Sequence, residues 1–162
     1  MRDAIRFLRR GTVVELRDVA PNQTVLDYLR LTQRQRGTKE GCNEGDCGAC
    51  TVALGKLHNG RINYEPVNAC IMLVGQLHGR ELVTVDDLAV DGTLHPVQQS
   101  MVTHHGSQCG FCTPGFIMAL FTLYHSGSKP TRQDIVDHIA GNLCRCTGYR
   151  PLIDAASQAC TG

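Results

Sequence analysis

The sequence predicts an α+β chain: a β-grasp domain over residues 1–88, followed by an all-α four-helix bundle over residues 89–162. Three observations carry that expectation. Short alternating stretches ending in glycine or asparagine turns dominate the first half, and longer apolar stretches opened by proline or threonine dominate the second. Between them, residues 86–92 are acidic and lose the strand pattern. A chain of 162 residues can form one medium domain or two small ones, each of which gains from a staple.

Residues 4–16 read as a hairpin. Ile5 and Phe7 alternate with Arg6, the run Arg9, Arg10, Gly11 supplies the turn, and Val13 and Val14 begin the return strand. Pro21 and Asn22 break the chain. Thr24 with Asp27 three residues on is an N-cap signal, and Val25, Leu26 and Leu29 form an apolar stripe, so a helix is expected to run to about Gln35 and end at Gly37. Strands are expected at residues 51–54, 62–66 and 82–85, with His58, Asn59, Gly60 and Arg61 as a second hairpin turn.

The second half reads as four short helices. His95 and Pro96 open the first, which carries Val97 and Met101 one turn apart and ends at Gly106. Thr113 and Pro114 serve as N-cap and first residue of the second, and its sequence GFIMALFTLY is apolar nearly all round, as a buried central helix would be. Thr131 and Asp134 cap the third, which carries Ile135, Ile139 and Ala140, and Pro151 opens the fourth.

Nine cysteines fall into two sets of four, with Cys160 left over. Cys42, Cys47 and Cys50 have C-x4-C-x2-C spacing in a loop rich in glycine, and Cys70 is the available distant fourth. That is the plant-type ferredoxin spacing for a 2Fe–2S cluster, so the first domain is expected to be ferredoxin-like. Three thiolates from one short loop can wrap a small cluster, and glycines let the backbone curl and aim N–H groups at sulfur. A zinc loop is the alternative, since C-x2-C alone is common in zinc sites.

Cys109 and Cys112 lie between the first and second helices of the second half, and Cys144 and Cys146 between the third and fourth. In an antiparallel arrangement both loops emerge at one end, so these four thiolates can form a second site. Spacing alone leaves zinc open as its occupant, because four-cysteine zinc sites also staple small domains. Either metal would add folding free energy.

Composition excludes several classes. With 16 basic against 15 acidic residues there is no electrostatic footprint for nucleic acid or an anionic membrane. The longest apolar run, residues 116–121, is too short to span a bilayer, and the N-terminal MRDAIRFLRRG lacks the form of a secretory signal. Cysteine-rich chains without an export signal use cysteine for metals or redox work before disulfides, and a cytoplasmic location is expected. No G-x-G-x-x-G, P-loop, Ser/His/Asp or paired-carboxylate pattern is present, so no catalytic residue and no nucleotide site is assigned.

The stretches GCNEGDCGAC (residues 41–50), HHGSQCGFCTPGF (104–116) and GNLCRCTGYRP (141–151) together closely resemble the iron–sulfur part of the xanthine dehydrogenase and aldehyde oxidase family of molybdenum hydroxylases. LHPVQ at residues 94–98, GSQCGFC and CTGYRP look more like xanthine dehydrogenases than like the carbon monoxide, nicotinate or isoquinoline relatives. The resemblance implies two 2Fe–2S clusters. Cys42, Cys47, Cys50 and Cys70 would hold the one facing a flavin, and Cys109, Cys112, Cys144 and Cys146 the one beside a molybdenum–molybdopterin cofactor. It further implies that Gln108 and Cys146 contact the pterin. Partner chains or domains would carry molybdenum and FAD, in a dimer of hetero-oligomers. Electrons from hypoxanthine or xanthine would then pass from molybdenum through both clusters to FAD and NAD. Related aldehyde or N-heterocycle hydroxylases, and a free ferredoxin-type carrier, are the alternative readings.

Other residues have plainer readings. Cys160 is expected to be an idle thiol, and His104 and His105 to cap a helix end or face a partner. Met101 and Met118 fit helical core spacing. Arg145, between two cysteines, either tunes cluster charge or points to solvent.

Overall fold

The computed structural model describes residues 4–161. β1 (Ile5–Arg9) and β2 (Thr12–Leu16) form the expected hairpin, with Arg10 and Gly11 both at positive φ, 49° and 70°, as a tight two-residue turn requires. β3 (Thr51–His58) and β4 (Arg61–Asn68) form the second, turning at Asn59 and Gly60 with φ of 49° and 78°. Both strands are longer than the sequence pattern marks. β5 (Glu81–Val83) pairs antiparallel with β3 and parallel with β1, giving one mixed sheet ordered β2-β1-β5-β3-β4.

The first helix is shorter than expected. Thr24 Oγ1 accepts the Asp27 N–H at 3.0 Å, as the N-cap signal predicts, and α1 (Val25–Asp27) then widens into a π-helical turn, Tyr28–Thr32. The Gln33 N–H reaches back five residues to the Tyr28 carbonyl at 2.9 Å. Arg34 takes a left-handed conformation at φ 56°, so the chain leaves the helix before Gln35. Gly37 does not cap it: a Cβ there would overlap the Asp86 carboxylate, so glycine is needed for close approach instead.

The centre of the sheet is buried on both faces, as the first half of β3 shows. Val52 and Leu54 point to one side, where Phe7, Leu82, Val25, Leu26 and Leu29 close a core under α1. Ala53 points to the other side, as does Val83 of β5, into a core with Phe116, Leu120 and Phe121. Alternation thus sends neighbouring residues to opposite cores, and β3 reads as a continuous apolar run.

α2 (Pro96–Thr103), α3 (Thr113–His125), α4 (Arg132–His138) and α5 (Arg150–Thr161) make up the second half. α3 is buried from Gly115 to Leu123, and Met101 and Met118 are core residues as their spacing suggests. Its start differs by one position: Cys112 is the N-cap, so Thr113 and Pro114 are the first two helical residues. The helices pack on one another, α2 and α4 against α5 and all of them around α3, and their core is shared with the sheet. α3 lies against β3 and β4, and Ala53, Val83 and Tyr64 complete the helical core from the sheet side. The α+β class is as the sequence predicts, with four helices grouped as expected and laid against the sheet rather than separate from it.

Candidate metal centres

Cys42, Cys47 and Cys50 lie in the loop between the π turn and β3, and Cys70 in the turn after β4. The loop is wound about sulfur. Cys42 N–H points at Cys47 Sγ (3.3 Å), while the N–H groups of Asp46 and Cys47 point at Cys42 Sγ (3.4 and 3.3 Å). Backbone N–H groups of Cys47, Glu44 and Asp46 draw the Cys42 thiol down to about 6. Cys50 lies beside Cys70, and burial pushes Cys50 up to about 12. Gly45 holds φ +82°, and a Cβ on Gly41 would stand 2.7 Å from Cys47 Sγ. Glycine is therefore required at Gly45 for its left-handed backbone and at Gly41 where a side chain would meet sulfur. Asn68 Nδ2 donates to the Gly45 carbonyl at 2.7 Å and ties the loop to the end of β4.

The second set joins the α2–α3 loop to the α4–α5 loop. Cys112 lies beside Cys144, and Cys109 beside Cys146. Burial pushes Cys112 up to about 12. Burial also works to raise Cys144, but hydrogen bonds from Thr147 Oγ1 (3.1 Å), the Thr147 N–H (3.5 Å) and Cys112 outweigh it, so Cys144 lies below the usual thiol value. The neighbouring Cys109 thiol holds Cys146 above it. Tyr149 Oη accepts the Cys144 N–H at 2.9 Å and fixes that loop from below.

Each set therefore consists of two thiol pairs, Cys42 with Cys47 and Cys50 with Cys70, then Cys109 with Cys146 and Cys112 with Cys144. Among the described residues no three His, Cys, Asp or Glu groups close on one point as a single metal ion requires. Paired thiols with N–H groups aimed at sulfur fit a binuclear iron–sulfur group, which takes two thiolates at each iron. All nine cysteines are free thiols.

Residues 10–75 match the 2Fe-2S iron-sulfur cluster binding domain family, and residues 84–157 match the [2Fe-2S] binding domain family. Quinoline 2-oxidoreductase from Pseudomonas putida superposes with a TM-score of 0.82 at 34% identity, over 95% of this chain and 90% of that one. The chain belongs to the iron–sulfur part of the xanthine dehydrogenase and aldehyde oxidase family. Human aldehyde oxidase is 43% identical over 157 residues, 95% of this chain, and the xanthine dehydrogenase of Blastobotrys adeninivorans is 41% identical over 161 residues, 98% of it. The chain spans 12% of the length of each of these two relatives. The matched regions of these relatives are parts of oxidoreductases.

The remaining candidates of this iron–sulfur chain fall as follows. Gln108 is exposed, next in sequence to the exposed Cys109–Cys146 pair. Arg145 is exposed, which favours the solvent reading. His104 is the C-cap residue of α2 and holds its ring 3.1 Å from the Ser100 carbonyl, a helix-end role. Cys160 is half-buried on α5 against the helical core, where burial raises its thiol. Sequence reasoning missed Asn68, Asn142, Thr147 and Tyr149. Each lies in or beside a cysteine loop, but a lone polar residue there carries no period or spacing to mark it.

Proposed function

We propose that this chain is the electron-transfer segment of a molybdenum hydroxylase of the xanthine dehydrogenase type, oxidising hypoxanthine and xanthine to urate. The observation that carries the reading is the grouping of eight cysteines into two sets, each of two thiol pairs. When bound, 2Fe–2S clusters supply one-electron stations, so a two-electron oxidation elsewhere can drain singly. Cys42, Cys47, Cys50 and Cys70 would ligate one cluster, and Cys109, Cys112, Cys144 and Cys146 the other. Backbone N–H groups at Cys42 and Cys47 sulfur, and Thr147 at Cys144, would favour the reduced state by neutralising sulfur charge.

The division of labour is the one the family resemblance implies, and exposure is compatible with it. Cys109 and Cys146 are exposed, so with Gln108 they offer the face that a molybdopterin-bearing partner would cover. Cys42 and Cys47 are half-buried in the other loop, which would face a flavin-bearing partner passing electrons to NAD. The two structural units would be residues 1–88 and 89–162, in a cytoplasmic hetero-oligomer without nucleic-acid or membrane partners. Among the described residues no helix is long and apolar enough to cross a membrane.

Aldehyde oxidation is the second reading, favoured by the 43% identity with human aldehyde oxidase. Iron, acid-labile sulfide and zinc analysis, with EPR of the dithionite-reduced protein, tests the relay. Two irons and two sulfides per cysteine set, with two distinct signals, support it; one cluster plus zinc sinks it. Turnover of the holoenzyme on xanthine with NAD against an aldehyde with oxygen separates the two substrates.

A further inference from the structure

The two cysteine sets are joined at one point. The Leu143 N–H donates to the Cys47 carbonyl at 3.0 Å, and Leu143 is bonded directly to Cys144. A continuous path thus runs from Cys47 of one set through its own carbonyl, one hydrogen bond and one residue to Cys144 of the other.

Asn142 holds that joint. It is 5% exposed, and its Nδ2 donates to the Gly48 carbonyl at 2.9 Å and to Thr51 Oγ1 at 3.0 Å. Thr51 Oγ1 itself donates to the same Gly48 carbonyl at 2.7 Å. Gly48 follows Cys47, and Asn142 precedes Leu143, so the side-chain clamp and the backbone hydrogen bond flank each other. The backbones meet without side chains between them. A Cβ on Gly48 would stand 2.6 Å from Asn142 Nδ2 and overlap the Gly141 carbonyl, and one on Gly115 of α3 would overlap the Gly48 carbonyl. A buried amide with its donors satisfied across two loops fixes their separation, since freeing either partner would strand a buried polar group.

We propose that Asn142 is the positioning residue for electron transfer between the two centres, acting by holding the Cys47–Leu143 hydrogen bond closed. This rests on the two-cluster reading above. In the transfer one electron leaves one centre as one enters the other; no bond forms or breaks and no proton moves. The electron comes from the proposed molybdenum partner, or from a chemical reductant in the test. Coupling through a hydrogen bond falls steeply once a gap opens in it, so a small displacement of the loops costs rate without touching a ligand.

The experiment uses the holoprotein with both clusters. Asn142→Ala and Asn142→Asp are compared with the parent by iron content, by the separate EPR signal of each reduced cluster, by their spin–spin splitting when both are reduced, and by the intercluster rate after flash reduction. The expected result is full iron and unchanged individual signals, a weaker splitting, and a rate slowed by roughly tenfold. An unchanged rate and splitting at full iron overturns the proposal. If Asn142→Ala does not retain its iron, Thr51→Val decides: it removes one of the two acceptors of Asn142 while keeping shape. Slowed transfer at full iron then supports the clamp, and unchanged transfer at full iron overturns it. Failure of the parent to bind two clusters would instead sink the underlying reading, and the iron count makes that visible first.

Discussion

Arg9 and Asp87 form a buried ion pair 3.3 Å apart, with side chains 6% and 5% exposed, linking β1 to the chain just after β5. Asp87 also accepts from Arg10 Nε and from the Thr84 N–H and hydroxyl, while Arg9 donates to Gln35 and Thr84. Removing one partner leaves a buried charge unpaired, which costs about 3–5 kcal/mol. Asp87→Ala is therefore expected to lower the urea midpoint sharply, and the double variant with Arg9→Met to recover part of the loss. Equal midpoints for Asp87→Ala and the parent would show that the pair carries no net stability.

Gly115 and Gly75 should respond in opposite ways to alanine. At Gly115 the added methyl meets the Gly48 carbonyl, which is buried and held, so overpacking of about 1–3 kcal/mol is expected. At Gly75 nothing stands within 4 Å and φ is not left-handed, so alanine should be neutral or stabilise by about 0.4–1 kcal/mol through the unfolded chain. Thermal denaturation of both variants against the parent checks the contrast.

His95 and His125 meet between the sheet and the helices, ring centroids 5.6 Å apart, beside Tyr64 and Phe121. Burial holds both rings below the usual histidine value of 6.5, with a further lowering of His95 by His125 and a partial offset at His125 from Glu81. The folded state thus binds protons less readily than the unfolded one. The associated stability is complete above pH 6.5, declines as pH falls below it, and is gone once the folded values are passed. Melting temperature should fall on acidification from pH 7.5 to 5.5, and less steeply in His125→Gln. Parallel slopes in parent and variant would remove this pair as the cause.

Cys109→Ser is expected to perturb one cluster signal and leave the other intact, because Cys109 pairs with Cys146 and with no member of the first set. Cys47→Ser should spare the second signal in the same way, with Cys47 lying in the other loop. EPR of each reduced variant, with iron content, reads the result. Loss of both signals from either change in a folded chain would contradict two separate ligand sets.

Much of this was legible in the sequence. Cysteine spacing marked both sets because the fold leaves few ways to bring four thiols together. Gly11, and Asn59 with Gly60, marked their turns because left-handed residues in a two-residue loop are costly for other types; Arg10 takes that conformation too without being a type that signals it. The threonine caps at Thr24 and Thr131 held for the same local reason. What the sequence hid depends on distant contacts. The π turn at Tyr28 reflects a single carbonyl taking a farther partner, and propensity does not record that choice. Pattern reading made α3 a buried central helix, which it is, but did not supply its neighbour, since a sheet and a helix both accept Phe116 and Leu120. Asn142 was invisible because its partners, Gly48 and Thr51, lie more than 90 residues away.

The alternation of β3 between two cores has a consequence for misfolding. Leu54 fills the space under α1, and Ala53 leaves room for α3 on the opposite face. A slip of one residue would drive a leucine into the narrow side and leave an alanine rattling in the wide one. An ordinary strand with a wet face is proofread once. This one is proofread twice, by two independent hydrophobic layers, and a misregistered intermediate would find shelter against neither.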